Sequence, residues 1–290
     1  ENHSHRRHVK SVELKIDQIP IFKTQKNWTP FISELDRQTN HYDTHINFIY
    51  KWTDLDVLKC ELDSGKCFFV YRMNPESGKN LTARVGASTL SSFIGPFRGG
   101  TPLLSLNSYI RLQNPSYNQK IPALTEVWIG FARAHLDYCG CGTNMYRPNL
   151  VVVVSEKIED EIVYKVSLVS SYLSLDVPII AWDLDDEFCY GSNVFIPNGI
   201  SSWNIEERHE QRDDALVLSY SLADLTVGVV VIKGLLHEIM NHVHTYEHNE
   251  SQERIATNDN VECALYLSRE FCRLYGIEVE NSLDLIYEDE

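Results

Sequence analysis

Residues 126–154 read EVWIGFARAHLDYCGCGTNMYRPNLVVVV. Two runs rich in β-branched and aromatic residues, EVWIGFA (126–132) and NLVVVV (149–154), flank a polar stretch, the pattern of strands joined through a loop. If the first strand continues past Ala132, Arg133, His135 and Asp137 alternate onto one of its faces. Cys139-Gly-Cys141 poses a separate question. Structural zinc sites place two to four residues between paired cysteines, and thiol–disulfide motifs use Cys-X-X-Cys. A single glycine meets neither spacing, and beyond His135 no fourth metal ligand stands nearby. The segment is read as a cysteine-pinned loop, with Cys139 and the distant Cys189 as disulfide candidates, that delivers Tyr146, Arg147 and Asn149 to a site.

The same strand pattern extends outward. INFIYKW (46–52), CFFVYRM (67–73), VYKVSLVSS (163–171), VPIIAWD (177–183), ALVLSYS (215–221) and TVGVVVIKG (226–234) are short β-type runs separated by turn residues. Many short strands with regular punctuation point to a sandwich, barrel or propeller. The corners at Phe97–Pro102, Arg147–Pro148 and Pro197–Gly199 favour propeller blades, although no strict repeat is present. The C-terminal part differs. NVECALYLSREFCRLYG (260–276 with Gly276) sets Val261, Ala264, Leu265, Phe271, Leu274 and Tyr275 on roughly one helical face, with Asn258–Asn260 as N-cap candidates. The expectation is a mainly β protein: a lead-in segment at 1–26, a five-bladed β-propeller-like catalytic body at 27–236, and an acidic, C-terminal helical extension at 237–290.

The net charge of −15 is uneven: residues 237–290 hold three basic and thirteen acidic side chains. That balance excludes general nucleic-acid binding, which needs a basic face, but leaves room for a local basic pocket. No apolar run is long enough to span a bilayer, and no signal peptide is visible. The chain begins at Glu1 and is expected to be a piece of a longer protein. Seven cysteines are too few for a disulfide scaffold, and an odd number leaves one unpaired within the chain. Asn-X-Ser/Thr sites at Asn2, Asn27, Asn80 and Asn249 are glycosylation candidates and lean toward a secretory compartment.

LKCELDSGKCFF (58–69) reads as a hairpin in which Cys60 and Cys67 face each other, as a disulfide staple or as two buried thiols. HEIMNHVHTYEH (237–248) is not a zinc-protease helix: His237 and His242 are five apart, about 140° around a helix. Cys263 and Cys272 are too far apart on one continuous helix to pair. The polar set carries more chemistry. Arg98-Gly99-Gly100-Thr101 puts a cation beside two glycines, where a ligand can approach the backbone. Arg133, Arg147 and Arg98 suit phosphate oxygens. Asn198, Ser201 and Trp203 form a polar–aromatic corner suited to a sugar.

KNWTPF (26–31), VLKC (57–60), FRGGTPLL (97–104), GFARAHLDYCGCGTNMYRPNLVVV (130–153), WD (182–183), IPNGISSWNI (196–205) and LSYSLADLTVGVVVIKGLL (218–236) together resemble the fungal β-1,2-mannosyltransferases, glycosyltransferase family 91. The resemblance implies an inverting enzyme that moves mannose from GDP-mannose onto mannan or a mannosylated glycolipid of the cell wall. It implies a Golgi-lumenal type II membrane protein, a glycoprotein whose signal-anchor lies outside this chain, and a body related to the propellers of β-mannoside phosphorylases. The corner that carries an Asp-Pro-Arg motif in those phosphorylases reads Arg-Gly-Gly-Thr here. Asp137 or His135 is the expected base, with Asp56 and Asp183 behind them. Arg98, Gly99, Gly100, Thr101, Arg133, Tyr146, Arg147 and Asn149 are expected around the donor, and Asn198, Ser201 and Trp203 around the acceptor. No cofactor is required and a divalent metal is possible but not indicated: Asp183-Leu-Asp185 is an Asp-X-Asp sequence, a pattern common by chance. A β-1,2-mannoside phosphorylase using mannose 1-phosphate and a non-catalytic mannan-binding propeller are the alternatives.

Overall fold

The structure, a computed structural model, describes residues 11–16, 26–73, 97–115, 121–137, 144–158, 160–177, 193–205, 214–243 and 250–287. Two open sheets carry most of them. The first has the order β1-β5-β4-β3-β2, formed by β1 (Lys15–Ile16), β2 (Thr29–Phe31), β3 (His45–Lys51), β4 (Asp56–Glu61) and β5 (Lys66–Arg72). Its β2–β5 ladder is antiparallel, while β1 pairs β5 in parallel. The second comprises β6 (Phe97–Gly99), β7 (Leu104–Ser105), β8 (Thr125–Asp137), β9 (Asn144–Ile158), β10 (Glu161–Val169), β11 (Asn193–Asn204), β12 (Ala215–Leu222) and β13 (Thr226–Lys233). Its path is β13-β12-β11-β9-β8-β6, with β10 also on β9 and β7 also on β8.

The expected five-bladed propeller is not formed. Blades are separate four-stranded sheets arranged around a channel. Here β8 and β9 run 13 and 15 residues and pair along their length, and neither sheet closes among the described residues. Two of the expected corners lie inside strands. Pro148 falls in the stretch of β9 between its pairings with β11 (through Tyr146) and β10 (from Val151), where one edge carries no ladder for a proline to interrupt. Pro197–Gly199 is a register shift within β11, a bulge rather than a turn. The mainly β reading itself agrees with the fold.

β8 and β9 are apolar on both sides because both faces are covered. Val127, Ile129 and Phe131, with Leu150, Val152 and Val154, meet Leu106 and Ile110 of α2 (Leu106–Gln113), Trp203, Leu216 and Leu218, and Leu236, Ile239 and Met240 of α3 (Leu235–Val243). On the opposite face Trp128, Ala132, Val151 and Val153 meet Phe31, Ile49 and Val57 of the first sheet and Leu55 of the turn before β4. Truncating a fully buried member such as Ile129 to Ala costs about 2–5 kcal/mol.

The long α4 (Glu250–Tyr287) docks through Val261 on the inter-sheet core. It is longer than the 260–275 face that the pattern marks. Cys272 packs against Ala134, Leu136 and Met145 and is disulfide-bonded, whereas Cys263 is free and exposed. α1 (Glu34–Asn40) starts on Ser33, whose hydroxyl accepts from Asp36 N. The buried Glu126 carboxylate accepts from Ser33 Oγ at 2.8 Å and from Glu34 N at 2.5 Å, tying that helix start to β8.

Candidate functional site

Strand alternation brings part of the expected residue set onto one face. β8 runs on to Asp137, and its register sets Arg133 opposite Pro148, His135 opposite Tyr146 and Asp137 opposite Asn144. On the other side Arg98 of β6 pairs with Arg133. Cross-strand partners share a face, so Arg98, Arg133, His135, Asp137 and Tyr146 stand together. The His135 ring lies 4.6 Å from the Tyr146 ring, and its Nε2 is 3.3 Å from Asp137 Oδ1.

The two arginines are differently held. Arg133 donates to Gly99 O at 2.7 Å and to Asn27 Oδ1 at 2.8 Å, and its guanidinium lies 5.6 Å from the Tyr146 ring centroid. Burial holds the Arg133 pKa below its ordinary value; Arg98 pushes the same way, while Tyr146 and Asp224 oppose. Arg98 has no hydrogen-bonded or ion-paired partner among the described residues, and the buried Nε atoms of both arginines are unsatisfied. Asp224 was not anticipated. It sits with Ala223 in a left-handed turn between β12 and β13, at φ 52° and 50°, and Ala223 N donates to Val194 O beside Tyr146.

The glycines of Arg-Gly-Gly-Thr have a structural role. A Cβ on Gly99 would lie 2.2 Å from Thr29 Oγ1, and one on Gly100 would lie 2.4 Å from Phe131 O. Neighbouring chain, not a ligand, approaches their backbones. Thr101 is buried and exchanges hydrogen bonds with Phe131.

Other predicted residues go elsewhere. Arg147 and Asn149 project from the opposite face of β9, under α4. Arg147 is buried, lies 5.2 Å from the Phe271 ring and donates to Tyr146 O; burial pushes its pKa down to about 10, against the pull of Tyr275. Asn149 accepts from Ala134 N and donates to Ser170 O and Ser268 Oγ. Trp203 is 1% exposed in the core, its Nε1 donating to Asp214 Oδ2 at 3.0 Å. Asn198 and Ser201 are exposed and bonded to β12, at Ser221 Oγ and Val217 O. Asn27 and Thr29 of one glycosylation sequence are drawn into the fold, Asn27 against Arg133 and Thr29 buried. Asp183, Cys139, Cys189, Asn2, Asn80 and Asn249 lie outside the described residues. Cys60 and Cys67 form the hairpin disulfide.

Asp56 heads a second cluster, on the outer side of the first sheet. It pairs with Arg72 across β4–β5 and is 5% exposed. Arg72 Nε is 3.9 Å from Asp56 Oδ1, and neither atom has a hydrogen-bond partner among the described residues. Burial raises the Asp56 pKa from 3.8 to about 6, with Arg72 and Lys51 opposing and Asp54 adding to the rise. Asp56 in turn helps burial push the Tyr50 phenol up to about 12. Tyr50 packs on Trp28 and on Phe69, at 5.5 and 5.6 Å between centroids, and Arg72 lies 3.4 Å above the Phe69 ring. Among the described residues no group of three or more His, Cys, Asp or Glu is placed to hold a metal ion, and no helix is long and apolar enough to cross a membrane.

The open β scaffold sets two adjacent arginines, one without a counter-ion among the described residues, beside a His–Asp pair. The family follows from comparison. The chain belongs to the beta-mannosyltransferases, whose family model matches residues 1–271. It is 39% identical to Beta-mannosyltransferase 8 of Candida albicans, over 91% of this chain and 41% of that protein. It is 37% identical to Beta-mannosyltransferase 2 of the same organism, over 93% and 40%. It is 31% identical to Beta-mannosyltransferase 1 of Komagataella phaffii, over 87% and 37%. The chain thus spans about two fifths of the length of these relatives. No solved structure matches it significantly.

Proposed function

We propose that the protein transfers mannose from GDP-mannose to a mannoside acceptor with inversion, forming a β-1,2 linkage. The observation that carries this reading is the Arg98–Arg133 pair: two adjacent arginines, one with no partner and one bound to carbonyl oxygens among the described residues. A nucleoside diphosphate supplies the missing negative charge, and Arg forks match phosphate oxygens. In a single displacement the acceptor hydroxyl attacks the anomeric carbon, loses its proton to a base, and GDP leaves with the bonding pair. The His135–Asp137 pair on the same face takes the proton, while the arginines stabilise charge developing on the leaving diphosphate. The Cys60–Cys67 disulfide favours an oxidising compartment such as the Golgi lumen.

The test is product analysis after incubating the full-length protein with GDP-mannose and a panel of mannosides. Formation of a β-1,2-mannoside is expected. Turnover of mannose 1-phosphate alone would select the phosphorylase instead. Glycan binding without turnover of any donor would select a binding protein.

A further inference from the structure

The corner first assigned to the acceptor cannot serve as a unit, since Trp203 is in the core. We infer that the acceptor mannoside binds on the outer side of the first sheet, with one pyranose ring against Trp28 and Tyr50 and its vicinal hydroxyls on Asp56 and Arg72. This rests on the reading above for the identity of the sugar.

Three observations converge. The first is the orphaned polar pair. Asp56 Oδ1 and Arg72 Nε are buried, 3.9 Å apart, and neither is hydrogen-bonded among the described residues. A buried polar atom without a partner is uncommon and calls for an explanation. A ligand hydroxyl can donate to the carboxylate while its neighbour accepts from the guanidinium, satisfying both. The second is the aromatic surround. Trp28, Tyr50 and Phe69 are half-buried and meet edge to face. Such rings offer flat apolar faces to the C–H surface of a pyranose, with polar tips for its hydroxyls. The third is continuity. Asn27, which accepts from Arg133, directly precedes Trp28, whose ring meets Tyr50, so the chain leading into β2 runs from an arginine of the donor site to the aromatic surround.

The test measures binding of α-1,2-mannobiose and of GDP separately, by calorimetry, on the full-length wild type, Asp56→Asn, Trp28→Ala and the milder Trp28→Phe. Near-ultraviolet circular dichroism checks folding. Loss of a charge-assisted hydrogen bond at Asp56 is expected to weaken mannobiose about 10- to 100-fold. Trp28→Ala is expected to weaken it comparably and Trp28→Phe less, while GDP affinity stays within about twofold in all three. In turnover the same variants raise the acceptor KM and leave the donor KM in place. Unchanged mannobiose binding in Asp56→Asn overturns the inference. So does a wild type that binds GDP but no mannobiose, an outcome that leaves the donor assignment standing. A wild type that binds mannobiose through Asp56 but no GDP upholds the inference and removes the donor reading.

Discussion

Replacing Asp56 by Asn is expected to stabilise the fold at neutral pH. In the folded protein burial raises this carboxyl from 3.8 to about 6, outweighing the help of Arg72 and Lys51. Between those two values the native state holds a proton that the unfolded state has released, so stability falls as pH rises. Below the unfolded value the carboxyl is neutral in both states and the effect vanishes. Above about pH 6 the full penalty is present, about 3 kcal/mol at 1.36 kcal/mol per pH unit. Asn keeps the shape without the charge. Thermal melts of both proteins from pH 4 to 7.5 should therefore coincide at the acid end and separate toward neutrality. The variant should melt about 3–5 °C higher at pH 7.5, given the unfolding entropy of a chain this size. A variant less stable than wild type at every pH would refute the reasoning, because it would make Asp56–Arg72 a net stabilising ion pair whose disruption strands a buried cation. A residue that costs stability and whose replacement weakens acceptor binding marks a functional site rather than a structural one.

The remaining predictions separate the site from the scaffold. Arg98→Ala should lower GDP-mannose affinity by about 1.5–3 kcal/mol in calorimetry, as for a charged hydrogen bond, with little change in melting temperature because Arg98 has no partner among the described residues to strand. Arg133→Ala should lose both affinity and stability, since Gly99 O and Asn27 Oδ1 lose their donors; urea titration should show about 1–3 kcal/mol. Arg147→Met should leave the donor KM unchanged in steady-state assays, as its guanidinium packs under α4 beside Phe271; a tenfold rise would return it to the donor site. Asp214→Ala removes the carboxylate that accepts from Trp203 Nε1 and from Leu235 N and Leu236 N at the start of α3. A loss of about 2–4 kcal/mol is expected in urea titration, with kcat of the folded fraction intact.

Local pattern and tertiary structure divided the work at identifiable residues. The alternation of EVWIGFARAHLD was enough to place Arg133, His135 and Asp137 on one face, because side-chain direction in a strand has period two whatever packs on it. Cys60 and Cys67 were legible for the same reason: a hairpin turn sets the register of its own strands. Which element covers each face was not legible. Arg147 and Asn149 looked like ligands after a loop, but α4, more than a hundred residues later, lies on their side of β9. Trp203 looked like a sugar platform until β12, α2 and α3 closed over it. Short strands and Gly–Pro corners suggested blades because strand pattern reports faces, not sheet closure, and closure depends on long-range pairings such as β8 with β9. The joining of Asp56 to Arg72, and of Asn27 to Arg133 across 106 residues, required the folded chain. Among the described residues, sequence by itself determined most of the strands, their faces and the arginine–histidine stripe, all set by neighbours along the chain. Tertiary structure alone decided which of those faces stayed available to a ligand, because that depends on packing between segments distant in sequence.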